Sequence, residues 1–370
     1  MTVDERTQAP GPKRILALDG GGVRGILTLG FLARMEQLLR ERYQNPHFLL
    51  CDYFDLIGGT STGSIIASGL ALGMDTATLI KLYKDLSKDI FKGKNPFWFL
   101  SRKFNAAPLE KYLKASFGDK TLSDPSLCTG LCIISKRVDT GSTWVMVNNP
   151  RSRFFPQDSQ KPIHTLIRAS TAAPTYFNPN FFEVDPGKNG VFVDGGVSMH
   201  NNPALQLFLL TKIHGFGYNW ASGAENLMIV SVGTGASTPM VKINEVEDGA
   251  NALTWANAVP NMLMADASEL GQIILQMLSQ SPTRWHFDSI MKSLDGQMIT
   301  SAPQLHYLRY DAPLDATTLQ EIHMTHLEKE LDQIREMSNP KYIEELFNVG
   351  ANMADRKIKE GHFPEVFDVV

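Results

Sequence analysis

Cysteine is scarce. Three in 370 residues (Cys51, Cys128 and Cys132) cannot knit a disulfide framework around a chain of this size. Cys128 and Cys132 have a spacing compatible with zinc, but no second Cys or His pair lies near them and LCTGLCIIS reads as an apolar strand, so no metal is expected. An excess of one charge is also missing. Lys and Arg number 35, Asp and Glu 39, for a net charge of -4; with no dense basic stripe either, a nucleic-acid polymer is not the expected partner. Long hydrophobic runs are absent too. The longest, SIIASGLALGM at 64–74, falls far short of the roughly 20 residues needed to span a bilayer. Residues 1–13 are polar, lack the apolar core of a secretion signal, and read as a flexible tail ending near Gly11-Pro12. The expectation is a soluble, cytoplasmic protein that associates with membranes transiently and from the surface.

What is present is apolar material, 43% of residues, enough for one large domain or two ordinary ones. No internal repeat or low-complexity tract divides it. RILALD (14–19) reads as a buried strand ending at glycine. From Ile26 the period becomes helical, with Leu29, Leu32, Met35 and Leu39 on one face. DYFDLIGG (52–59) is a second strand candidate. Asp75 caps a helix reaching about Phe91, and Pro108 opens another over LEKYLKASF. LCIISKR and TWVMVNN (131–149) read as neighbouring strands, followed by strands GVFVDGG (190–196) and NLMIVSVGTG (226–235), with a helix opened by Pro203 between the last two. Strands alternating with helices, several of them apolar on both faces, predict a mostly parallel sheet covered on each side. Beyond about residue 240 the chain reads as helical, with one strand-like island, QLHYLRYD (304–311).

The sharpest local signal is Gly59-Thr60-Ser61-Thr62-Gly63. It follows a strand candidate and precedes an apolar helix, the setting that a nucleophile elbow requires. Flanking glycines let a tight strand-to-helix turn hold serine in a strained conformation, with its oxygen at the positive end of the helix. A small-residue turn that happens to contain serine is the bland alternative. Upstream, DGGGVRG (19–25) offers two readings. Gly20-x-Gly22-x-x-Gly25 is literally a dinucleotide fingerprint, which demands an acidic residue closing the next strand about 20 residues on. That strand instead ends in Ile57-Gly58-Gly59, with Asp52 and Asp55 at its beginning. The other reading, bare amides cradling an oxyanion, survives.

A nucleophilic serine needs a base. Of nine histidines (47, 164, 200, 214, 286, 306, 323, 326 and 362) none has a catalytic context. Asp194, closing the apolar VFVDGG strand before Gly195 and Gly196, stands where parallel sheets place their sites; an ordinary Asp-Gly turn is the alternative.

In this order and together, DGGGVRG, GTSTG and DGG (194–196) resemble the patatin-like phospholipases, as do RASTAAPTYFNP (168–179), DGGVSMHNNPA (194–204) and VGTG (232–235). The likeness covers roughly residues 14–310. It implies a three-layer α/β/α sandwich of patatin type with a mostly parallel central sheet, a catalytic domain over 14–310 and a helical C-terminal extension over 311–370 packed on the same domain. It also implies a serine lipid acyl hydrolase with a histidine-free dyad: Ser61 as nucleophile in an elbow flanked by Gly59 and Gly63, and Asp194 as base in the motif with Gly195 and Gly196. The loop of Gly20, Gly21, Gly22, Arg24 and Gly25 would be the oxyanion hole. No cofactor is implied. The expected substrate is a phospholipid or other fatty acyl ester, met at a membrane surface. KGKNPFWFLSRKF (92–104) suits a headgroup boundary by composition, though core packing explains it as well. Met- and Leu-rich 252–278 reads as a core helix, with an acyl-channel lining or lid as the alternative. Some bacterial members are immune effectors switched on by a nucleotide second messenger, so a small-molecule activator is a further possibility. A non-catalytic lipid-binding protein on the same fold is the reading from a different class. Headgroup preference and oligomeric state are open.

Overall fold

The computed structural model describes residues 1–90, 103–235, 252–284, 286–288 and 290–369. Its centre is a nine-stranded sheet: β1 (Lys13–Leu18), β2 (Leu56–Thr60), β3 (Gly130–Arg137), β4 (Thr143–Val147), β5 (Asn180–Asp185), β6 (Lys188–Asp194), β7 (Leu227–Val232), β8 (Ser279–Gln280) and β9 (Leu305–Tyr310), ordered β5-β6-β3-β2-β1-β7-β9-β8 with β4 also on β3. From β3 through β2, β1, β7 and β9 to β8 all pairs are parallel. β4, β5 and β6 pair antiparallel. Strands β1, β2, β7 and β9 are buried at every residue, because helices cover both faces.

Alternation along the strands feeds two cores. Leu16, Leu18, Ile57, Val230 and Leu308 point into one, filled by helices Gly25–Arg42, Thr62–Ala71 and Ile343–Lys357. Ile15, Ala17, Leu56, Ile229 and Tyr307 point into the other, closed by Leu207 and Leu210 of helix Ala204–Leu210 and by Leu275. The result is the α/β/α sandwich that the alternating pattern predicts. The C-terminal region belongs to the first of these cores: Phe363 and Phe367 are buried in it. Helix Ile343–Lys357 lies so close on Gly25–Arg42 that a Cβ at Gly350 would strike the Leu27 carbonyl.

Several readings need correction. DYF does not begin β2; Leu50–Tyr53 is a helical turn, and the strand starts at Leu56. Residues 1–13 are not a loose tail. Helix Val3–Gln8 is closed by a reciprocal Thr2–Glu5 capping box, which satisfies two end amides. It is docked by Arg6 Nη2 donating to the Asp52 carbonyl at 2.6 Å and Trp220 Nε1 donating to that of Thr7 at 2.8 Å. Helix Ala252–Leu278 is not a core helix along its first half, where Trp255, Val259, Met262 and Leu263 are exposed. Of the aromatic-basic stretch 92–104, residues 92–102 lie outside the described residues; Phe104 is buried. No helix among the described residues is long and apolar enough to cross a membrane.

Candidate active site

Register brings the motifs together. Leu18 lies level with Gly59 on one side and Val232 on the other, so the chain leaves β1, β2 and β7 at one edge, carrying Asp19–Gly22, Ser61 and Thr234 there. Asp194 arrives differently. β3 overhangs β2, whose last residue Thr60 pairs with Ile134, and β6 runs antiparallel down that overhang to set Asp194 opposite Ser135. Asp194 therefore reaches the right edge from an antiparallel strand, not from the end of a parallel one.

Ser61 sits between β2 and helix Thr62–Ala71 at φ 53° and ψ -126°. A non-glycine residue there carries about 1–3 kcal/mol of strain and persists only when its surroundings over-determine it. They do. The Ser61 amide donates to Ser170 Oγ at 2.8 Å, and the Ser170 hydroxyl donates onward to the Ile134 carbonyl at 2.6 Å. The Ser61 carbonyl accepts from the Ser64 amide at 2.9 Å and the Ser64 hydroxyl at 2.5 Å. The flanking glycines are steric necessities: a Cβ at Gly59 would collide with the Gly63 backbone, and one at Gly63 with the Leu18 carbonyl.

The Ser61 hydroxyl donates to Asp194 Oδ2 at 2.5 Å, and the Gly196 amide donates to Oδ1 at 2.7 Å. Both side chains are nearly buried, Ser61 9% and Asp194 5% exposed. Burial pushes the Asp194 carboxyl up to about 6, against the two hydrogen bonds that favour its charged form. A cavity of about 480 Å³ opens over the pair, with Gly21 and Gly22 beside them and Ile65, Leu86, Leu109, Phe177 and Met264 on its apolar walls. Among the described residues no histidine lines it.

The five loop residues divide. The Gly20 amide is committed to the Asn201 carbonyl at 3.1 Å, while Asn201 Nδ2 and Thr234 Oγ1 donate to the Gly20 carbonyl. Among the described residues the Gly21 amide is held by Thr62 Oγ1 alone, at 3.2 Å. The Gly22 amide meets no acceptor among the described residues. Gly22 takes φ 58°, a conformation glycine adopts without penalty, and Tyr83 OH donates to its carbonyl. Arg24 and Gly25 turn away: the Gly25 amide bonds back to Gly22 and Val23, and the Arg24 side chain is absent from the cavity wall, with Asp311 and Tyr176 among the charged and polar groups near it.

A network below the loop escapes sequence reading. Arg309 at the end of β9 donates from Nη1 and Nη2 to both Asp19 oxygens at 3.0 and 2.7 Å, and from Nη2 to Asp311 Oδ2 at 2.9 Å. Burial alone disfavours charge on Arg309, but the two carboxylates outweigh it and raise the guanidinium pKa. Asp19 immediately precedes Gly20, and Asp311 Oδ1 accepts from the Gly235 amide at 2.8 Å, so this cluster ties together three chain segments behind the loop. Ser170, Asn201 and Thr234 also brace the site; each lies in a stretch that resembles the family, but no motif spacing by itself gives it a role.

The patatin-like phospholipase family model matches residues 16–208. The chain belongs to that family. Among its relatives, a cGAMP-activated phospholipase of Escherichia coli (strain TW11681) is 30% identical over 60% of this chain and 62% of that protein. One of Vibrio cholerae serotype O1 is 34% identical over 52% of this chain and 56% of that protein. The chain thus spans less than two-thirds of either one's length. Patatin-T5 of Solanum tuberosum is 24% identical over 96% of this chain and 86% of that protein. Human GIVD cytosolic phospholipase A2 shares the fold, with a TM-score of 0.51 at 12% identity over 95% of this chain and 60% of that one.

Proposed function

We propose that this chain is a serine lipid acyl hydrolase of phospholipase A type, cleaving fatty acyl esters of glycerophospholipids. The observation that carries the reading is the 2.5 Å hydrogen bond from strained Ser61 to buried Asp194 at the base of a largely apolar cavity. Ser61 Oγ attacks the acyl carbonyl as its proton passes to Asp194 Oδ2. The transfer accompanies attack, because a carboxylate near 6 is far too weak a base to ionise serine beforehand. The Gly22 amide, the Gly21 amide as it exchanges Thr62 Oγ1 for the substrate oxygen, and the N-terminal end of helix Thr62–Ala71 stabilise the oxyanion. Gly20 positions the loop through Asn201, and Arg24 and Gly25 support it from behind. Collapse of the tetrahedral species expels the lipid alkoxide, which takes the proton from Asp194 and leaves acyl-Ser61. Asp194 then accepts a proton from water as it attacks the acyl carbon, and Ser61 recovers that proton on release of fatty acid.

A small-molecule activator is a second reading, favoured by the two bacterial relatives named as cGAMP-activated. The test is fatty-acid release from mixed phospholipid vesicles by wild type, Ser61→Ala and Asp194→Asn, each with and without cGAMP. Release by wild type alone supports the dyad, and release only with cGAMP supports gating. Substantial turnover by folded Asp194→Asn would remove Asp194 as the base. Wild type inert on vesicles and on short-chain esters under all conditions would favour a lipid-binding protein instead.

A further inference from the structure

A helical stretch with no charged face and mostly apolar side chains belongs in a core or in lipid. Residues 252–265 contain no Asp, Glu, Lys or Arg, yet Trp255 is 41%, Val259 42%, Met262 38% and Leu263 62% exposed. The same turns reach inward, where Pro260, Asn261 and Met264 line the cavity over Ser61. The helix also touches the Gly195–Val197 turn that follows Asp194. There Val197 both lines the cavity and is 43% exposed, which puts it on the rim, with Met199 59% exposed beyond it. Bare apolar surface and substrate cavity are thus one continuous feature.

We propose that this surface docks on a lipid bilayer, with residues 252–265 lying along the headgroup–acyl boundary and the cavity rim facing the lipid. The inference rests on the hydrolase reading for its purpose, since it gives an acyl chain a path from bilayer to Ser61 without crossing water. A protein seated on the same patch would cover the rim instead of supplying it. The absence of charge also selects the kind of attraction. Binding comes from apolar burial, with Trp255 at the interface where indoles settle, so it extends to zwitterionic lipid and depends little on salt.

The experiment is co-sedimentation of the full chain with phosphatidylcholine vesicles at low and high salt, comparing wild type with Leu263→Asp and Leu263→Gln. Leu263 is not part of the cavity wall, so turnover of a soluble nitrophenyl butyrate should stay at the wild-type level. Vesicle partition and vesicle hydrolysis should fall about tenfold or more for Leu263→Asp, the scale of losing one buried leucine, and by less for Leu263→Gln. Unchanged vesicle binding by Leu263→Asp would overturn the proposal. So would a wild-type dimer that Leu263→Asp converts to monomers while neither binds vesicles, which would make the patch a contact between copies. Failure of the hydrolase reading looks different: no turnover of the soluble ester by wild type, with vesicle binding still lost in Leu263→Asp, would uphold docking and reject the chemistry.

Discussion

Asp194→Asn should abolish turnover and make the protein more stable at neutral pH. Burial raises the Asp194 carboxyl from its ordinary 3.8 to about 6. At about 1.4 kcal/mol for each pH unit, the folded chain carries a penalty of about 3 kcal/mol for keeping this group ionised. The sign follows from proton counts. Between about pH 4 and 6 the folded state binds more protons at this site than the unfolded state, so stability falls as pH rises through that window and the full penalty remains above it. Asparagine has the same outline and no charge. Its carbonyl can still accept from the Gly196 amide, which now reaches Oδ1 at 2.7 Å, while its amide faces Ser61. Allowing about 1 kcal/mol for weaker hydrogen bonds, the variant should gain about 2 kcal/mol at pH 8. Urea unfolding of both proteins at pH 8 and pH 4.5 reads this directly, and comparison at each pH cancels the other titrating groups. The gain should shrink toward zero at pH 4.5. Equal stability at pH 8, or a gain that persists or grows as pH falls, would refute the account of Asp194 as a carboxylate held ionised against burial.

The pH profile offers an independent check: kcat/KM for a soluble ester should rise with pH through an apparent pKa of about 6, because only ionised Asp194 can take the serine proton. A flat profile from about pH 5 to 8 would count against it. Arg309→Met strips the buried cation from Asp19 and Asp311 and should cost about 3–5 kcal/mol in urea unfolding, whereas a loss below about 1 kcal/mol would show that the cluster does not hold the loop. Gly350→Ala pushes a Cβ into the Leu27 backbone and should cost about 1–3 kcal/mol by thermal unfolding; a neutral result would mean that the two helices can separate freely.

What the sequence determined on its own is local. Strand, Gly59-x-Ser61-x-Gly63 and helix are specified within a few residues, because the turn depends on the missing Cβ atoms of those two glycines. The alternation of buried strands with amphipathic helices likewise implies a covered, mostly parallel sheet. Asp194 was recognisable from its strand end and motif, although its approach along an antiparallel strand was not. Tertiary structure decided the rest. Arg309 meets Asp19 only because β1, β7 and β9 lie side by side, and no periodicity reports strand order. Which loop amides remain available depended on Asn201 and Thr62 arriving from other segments. The helix beginning at Ala252 shows the limit most clearly. Its composition matches that of a core helix, and composition records how apolar a residue is, not whether the fold supplies anything to cover it.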